Sequence, residues 1–186
     1  MQANHPCISV TRAPGPYPEV RAGGRNHRYA HAMLSNLSGE ISEQSAMSLY
    51  LYDRLVTAGL PELSAVFQEL ALVELRHMEI FGMLAQQLGA DPRLWCMRRG
   101  RQSWWSPADL QYTRKLGPLI HGAIRAEQLT IRKYEGQLRW IRDENVAANL
   151  RRILQDEQVH VQLLTQLYMD YTGCATQNRP GKKSSL

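Results

Sequence analysis

Between residues 61 and 89 the chain places apolar side chains at alternating steps of four and three, with Leu63, Phe67, Leu70, Phe81, Leu84 and Leu88 on one line. That rhythm marks an α-helix with one buried face. It recurs over 144–171 through Val146, Leu150, Ile153, Leu164, Leu167 and Tyr171, and over 108–142 through Leu116, Ile120, Ala123, Tyr134 and Ile141. A less regular line, Ala30, Leu34, Leu37, Ile41, Leu51 and Leu55, predicts a further helix over 28–58. Few segments favour strands. Gly59 with Pro61, Gly89 with Pro92, and Asp143 supply stops and caps between these stretches. The first and second helices, and the third and fourth, are joined by short turns, so each pair is an antiparallel hairpin. Residues 90–107 are long enough to run the length of a bundle and let the third helix start at the same end as the second. The expected fold is therefore all-α: a four-helix bundle of two antiparallel hairpins joined by a long crossover.

The apolar lines carry polar interruptions in the same place. Glu74 and His77 occupy successive core positions of the second helix, and Glu157 and His160 do so in the fourth. Residues three apart share a helix face, so each Glu-x-x-His pair projects both side chains into the core. An unpartnered carboxylate there would cost several kcal/mol. The third helix has Glu127 in its seam. On the first, Glu43 lies beside the apolar line and Glu40 one turn earlier; Glu43 is chosen because Glu43-Gln44 with Tyr50 repeats as Glu127-Gln128 with Tyr134, and Glu40 keeps a place around the site. Glu43 and Glu74 stand 16 and 15 residues from Gly59, and Glu127 and Glu157 stand 16 and 14 from Asp143, so at about 1.5 Å per residue each pair is nearly level. Each hairpin thus sets one glutamate against one Glu-x-x-His pair, the pattern of an internal duplication. With 11 glutamates and six histidines in 186 residues, chance supplies roughly a third of one Glu-x-x-His pair. Two of them, both on core seams, are a metal site.

Four glutamates and two neutral imidazoles carry about four negative charges, which two divalent cations cancel. Oxygen-rich ligation with one nitrogen per ion suits two transition-metal ions, iron or manganese. The expected ligands are Glu43, Glu74, His77, Glu127, Glu157 and His160, with the four glutamates also placed to handle protons. Around them, Tyr50 and Tyr134 either bond to site carboxylates or pack in the core, and Asp156 is placed to accept from an imidazole N–H, where the second helix has Val73.

Composition narrows the rest. At 186 residues with 44% hydrophobic and 21% charged side chains, one domain is the default. The division expected is an extended Pro- and Gly-rich arm over 1–27, the bundle over 28–172 and a polar, frayed tail over 173–186. Neither a signal peptide nor a run near the roughly 18 apolar residues of a membrane span is present, so a cytoplasmic chain without a membrane partner is expected. The net charge of +5 gathers around Arg98, Arg99 and Arg101 and in the tail, which points to no nucleic-acid partner. Cys7, Cys96 and Cys174 are scattered and form no Cys-x-x-Cys pair, so metal must be held by carboxylates and imidazoles.

These residues resemble the rubrerythrin-like branch of the ferritin-like superfamily, which includes relatives of manganese catalases and of spore-coat catalase-like proteins. The resemblance spans about residues 28–171 and rests on Ser42-Glu43-Gln44-Ser45-Ala46 with Tyr50, Val73-Glu74-Leu75-Arg76-His77-Met78-Glu79 running into Leu88-Gly89-Ala90-Asp91-Pro92-Arg93, Ala126-Glu127-Gln128 with Tyr134, and Asp156-Glu157-Gln158-Val159-His160. It implies a ferritin-like crossover, a di-metal carboxylate site on the six residues named, and chemistry with hydrogen peroxide or dioxygen. It also implies a homo-oligomer. Two departures count: Thr130 stands where rubrerythrins proper carry an additional glutamate, and no rubredoxin-like cysteine cluster exists. A peroxidase would then need a separate electron-donor protein, which moves weight towards catalase-like disproportionation. An iron-oxidising, iron-sequestering role and a structural coat role are the alternatives.

Overall fold

The computed structural model describes residues 10–173. Seven of its elements build the bundle and its crossover: α1 His27–Ser38, α2 Glu43–Val56, α3 Pro61–Gln87, a hairpin of β1 Trp95–Arg98 and β2 Arg101–Trp104, α4 Leu116–Leu138 and α5 Glu144–Tyr168. A 3-10 turn at Pro107–Asp109 precedes α4, and a π turn at Met169–Gly173 follows α5. α2 with α3 and α4 with α5 form the two hairpins, and the α1–α2 pair makes one broken rod of the four. α4 begins at the end where α3 begins, since Leu119 and Ile120 pack with Leu63 and Phe67. The long crossover and the all-α bundle are as expected.

The first rod is not one helix over 28–58. Gly39 ends α1 by donating its N–H to Ser35 O, and a Cβ at Gly39 would stand 2.6 Å from that oxygen. Ser42 caps α2, accepting from Ser45 N. Lys133 on α4 fills the break, its Nζ donating to Ser35 O at 2.8 Å and Ile41 O at 2.6 Å. Because the break rotates the helix, Leu51 and Leu55 of the expected apolar line are exposed at 47% and 65%. The buried face of α2 is instead Glu43, Gln44, Ser45, Tyr50 and Asp53.

The crossover holds a strand pair that the pattern of apolar positions did not predict. Trp95 pairs with Trp104 and Arg98 with Arg101, around a two-residue turn in which Arg99 and Gly100 have φ of 49° and 76°. Positive φ at both central positions matches the twist of a hairpin and favours glycine at the second. Trp105 Nε1 donates to Ser45 Oγ, fastening the crossover to the first turn of α2.

Two apolar cores fill the bundle. One holds Met33, Leu34, Phe81, Leu84, Leu150 and Ile153; the other holds Tyr50, Leu63, Phe67, Leu70, Ile120 and Leu164. Each large side chain buried this way contributes roughly 1.5–3 kcal/mol. Along α3 the order is Leu70, Glu74, His77, Phe81, so a polar layer separates the two cores. Residues 10–26 have no regular secondary structure, yet they are bonded to the bundle: Ala22 N donates to Gln87 Oε1, Gly23 N to Asp143 Oδ2, and Asn149 Nδ2 to Glu19 O. Of the tail expected over 173–186, residues 174–186 lie outside the described residues, as do Cys7 and Cys174. No described helix is long and apolar enough to cross a membrane.

Candidate metal centre

The polar layer brings together Glu43 from α2, Glu74 and His77 from α3, Glu127 from α4, and Glu157 and His160 from α5, all at most 2% exposed. They form two overlapping sets, Glu43, Glu74, His77 and Glu157, and Glu74, Glu127, Glu157 and His160, in each of which the ligand atoms lie within 4.8 Å of one another. Glu74 and Glu157 belong to both sets. His77 Nδ1 is 3.1 Å from Glu74 Oε2 and 3.2 Å from Glu157 Oε1, and 3.9 Å from Glu43 Oε2. His160 Nδ1 is 3.0 Å from Glu74 Oε1, 3.2 Å from Glu157 Oε2 and 3.5 Å from Glu127 Oε1.

The outer side of each ring fixes its proton. His77 Nε2 lies 3.1 Å from Asp156 Oδ2, and His160 Nε2 lies 2.8 Å from the Thr11 carbonyl. Carboxylate and carbonyl oxygens accept and do not donate, so both rings carry a hydrogen on Nε2. A neutral ring then turns the Nδ1 lone pair towards carboxylate oxygens. Glu74 Oε1, both oxygens of Glu157 and His160 Nδ1 have no hydrogen-bond partner. Buried lone pairs converging on one another repel unless cations or protons sit among them. The donor set therefore fits transition-metal ions.

The remaining lone pairs are taken by tyrosines in a crossed pattern. Tyr50 on α2 donates to Glu127 Oε1 on α4, and Tyr134 on α4 donates to Glu43 Oε1 on α2. Burial, then the charges of the neighbouring glutamates, raise both phenol pKa values well above 10, so the hydroxyls stay protonated. In the metal-free protein, burial and the charges of Glu157 and Glu74 raise the Glu43 carboxyl well above its ordinary value, and burial and Glu157 push Glu127 up to about 7. Burial and a carboxylate neighbour also push on Glu74 and Glu157, but the imidazoles outweigh them and hold both below the ordinary range. Burial opposes charge on His77 and His160; the surrounding carboxylates prevail and raise both.

Asp156 is 0% exposed and accepts from four donors: Ala13 N, Arg152 Nη1, Tyr17 hydroxyl and His77 Nε2. Glu40 stands apart, exposed in the break between α1 and α2. Four participants were missed from the sequence: the Thr11 carbonyl, Tyr17, Arg152 and Lys133. Arg152, one turn before Asp156, carried the only local signal, an i,i+4 ion pair. A backbone carbonyl leaves none.

Fold and site together define an all-α, ferritin-like four-helix bundle whose core holds a carboxylate and histidine cluster. The family model for rubrerythrin matches residues 36–168, and the chain belongs to the rubrerythrin family. Its fold is similar to two solved structures of KatB, a manganese catalase from Anabaena. With one it shares a TM-score of 0.77 at 20% identity over 94% of this chain and 85% of that one. With the other, from Anabaena PCC7120, the values are 0.77 and 20% over 96% and 87%. At that identity the likeness is one of fold. No curated protein sequence matches the chain.

Proposed function

We propose that the protein is a di-metal oxidoreductase that disproportionates hydrogen peroxide, with Glu74 and Glu157 shared between two iron or manganese ions. Glu43 and His77 would complete one position, Glu127 and His160 the other. The observation that carries this reading is the pair of overlapping ligand sets, in which imidazole Nδ1 atoms and carboxylate oxygens converge at about 3 Å with no hydrogen-bond partner for several of them. Bound together, two such ions supply one-electron steps that a peroxide can take up or deliver in pairs. The chain's own residues supply the rest. One peroxide must lose two protons as it is oxidised and another must gain two as it is reduced. Glu43 and Glu127 are placed to hold them, each steadied by a tyrosine hydroxyl that remains protonated. The apolar cores on either side exclude water from the layer and strengthen every charge interaction inside it.

The fold likeness to a manganese catalase supports disproportionation. Membership of the rubrerythrin family supports a second reading, reduction of peroxide with electrons from a separate donor protein. The test is dioxygen release from hydrogen peroxide by metal-loaded protein without reductant. Dioxygen without reductant supports the first reading. Peroxide loss only with a reduced donor supports the second, and rapid oxidation and retention of ferrous iron with neither activity would make the protein an iron-handling relative.

A further inference from the structure

The two halves of the site match on the inside and differ on the outside. On α5, Asp156 precedes Glu157 and accepts from His77 across the bundle at 3.1 Å. The pseudo-equivalent residue on α3, preceding Glu74, is Val73, which has no acceptor to offer His160. The Thr11 carbonyl fills that role at 2.8 Å. Residues 11–17 are held there by the same aspartate: Ala13 N donates to Asp156 Oδ1 at 2.6 Å, and Tyr17 donates to Asp156 Oδ2 at 2.7 Å. Arg152 clamps the segment further, its Nη2 lying 2.7 Å from Ala13 O and 3.3 Å from Gly15 O, with its guanidinium 4.5 Å from the centre of the Tyr17 ring. Arg152 is itself only 7% exposed.

The geometry points to a strap that completes the metal centre: residues 11–17 supply, through the Thr11 carbonyl, the imidazole acceptor that α3 lacks at Val73, and so orient His160 for one of the two metal positions. This rests on the di-metal reading of the site. An imidazole free to rotate about χ2 presents its Nδ1 to the carboxylates only part of the time, whereas a ring bonded at Nε2 holds it there. His77 does not depend on the strap in the same way, because Asp156 is carried on a helix. Loss of the strap therefore weakens the His160 position selectively. Thr11 and the residues between it and Tyr17 act as positioning residues, without contact to the reacting atoms.

The experiment is stepwise manganese binding to the full chain, read by calorimetry and by the spectroscopic signature of coupled against isolated ions. Ala13→Pro removes the N–H that ties the strap to Asp156 while leaving every helix residue intact. The unsubstituted chain is expected to bind two coupled ions, and Ala13→Pro to bind one tightly and the other roughly ten- to hundredfold more weakly, with the isolated-ion signature at intermediate loading. Adding Val73→Asp to Ala13→Pro gives His160 a helix-borne acceptor and is expected to restore the coupled pair. If Ala13→Pro does not fold, Arg152→Gln, which frees the Ala13 and Gly15 carbonyls but also takes a donor from Asp156, is expected to weaken both ions, with Val73→Asp restoring the His160 position alone. Unchanged affinity for both ions in a folded strap variant, or failure of Val73→Asp to rescue, overturns the inference. An unsubstituted chain that binds no coupled pair overturns the di-metal reading instead.

Discussion

The α2–α3 hairpin and the α4–α5 hairpin carry the same inner chemistry on unlike supports. Glu43, Tyr50 and the Glu74/His77 pair in one correspond to Glu127, Tyr134 and the Glu157/His160 pair in the other, and the tyrosines cross over to each other's glutamate. Outside that layer the correspondence fails. Val73 matches Asp156, and Asp53, ten residues after Glu43, matches Gln137, ten after Glu127. Gln137 makes a reciprocal amide pair with Asn36 at 2.7 and 2.8 Å, whereas no hydrogen bond engages the Asp53 carboxyl among the described residues. On the di-metal reading, the ligand layer is symmetric because both ions would need the same donors. Its surroundings are free to differ, since any acceptor behind an imidazole and any packing beyond a tyrosine will serve.

The largest effects should come from breaking the symmetry at the shared positions. Glu74→Ala and Glu157→Ala each remove a ligand from both sets, so metal analysis is expected to show loss of both ions and activity to vanish. Glu43→Ala and Glu127→Ala each remove a ligand from one set and are expected to leave one ion bound. A Glu157→Ala protein that retained two ions would refute the sharing.

A second effect concerns protons that the metal-free halves hold in the cations' place. The carboxylates raise both imidazole pKa values, and Glu127 stands near 7. These groups are protonated when pH lies below their raised values, so metal must displace protons. Affinity is expected to weaken as pH falls from 8 to 6, and calorimetry in buffers of different ionisation enthalpy should show at least one proton released per chain. Metal at about 100 times its Kd should then stabilise the fold by roughly 2.7 kcal/mol, visible as a higher Tm. Equal affinity at both pH values would mean that the layer is not protonated when empty.

The Asp53 and Gln137 positions give a smaller, local contrast. Burial pushes the Asp53 carboxyl up to about 7, while in the unfolded chain it titrates near 4. The folded state therefore holds this proton more tightly, and the stability it contributes is present below about pH 4 and lost as pH rises to 7. Between pH 4 and 8 the loss is on the order of 4 kcal/mol. Asp53→Asn is expected to remove that part of the slope, so the variant gains on the unsubstituted protein as pH rises, measured by urea unfolding of the metal-free forms. A gain that grows towards acid would contradict the assignment. Smallest of all, Tyr50→Phe and Tyr134→Phe should each cost about 1 kcal/mol of stability, by equal amounts if the crossed bonds are equivalent.

Much of this was legible where a helix runs without interruption. The four-and-three rhythm of α3 and α5 places Glu74, His77, Glu157 and His160 in the core because nothing disturbs the count from Leu63 to Leu88 or from Val146 to Leu164. Glu127 follows from the same count on α4. α2 was harder: the apolar line from Ala30 to Leu37 continues in sequence to Ile41, Leu51 and Leu55, but Gly39, Ser42 and Lys133 break the helix and turn Leu51 and Leu55 outward. Glu43 follows from the repeat of its Gln44 and Tyr50 neighbours at Gln128 and Tyr134, not from the seam. The hairpin at Trp95 and Trp104 is set by the Arg99-Gly100 turn, a local signal that apolar periodicity does not register. The strap was not legible at all, since its part in the site is played by a carbonyl that any residue at position 11 would carry.

The sharing of Glu74 and Glu157 is the claim on which the rest depends. The most direct measurement is metal stoichiometry of the saturated protein together with the magnetic coupling of the bound ions. The proposed sharing predicts two transition-metal ions per chain, within about 4 Å of each other and magnetically coupled. One ion per chain, or two that behave as isolated centres, would contradict it.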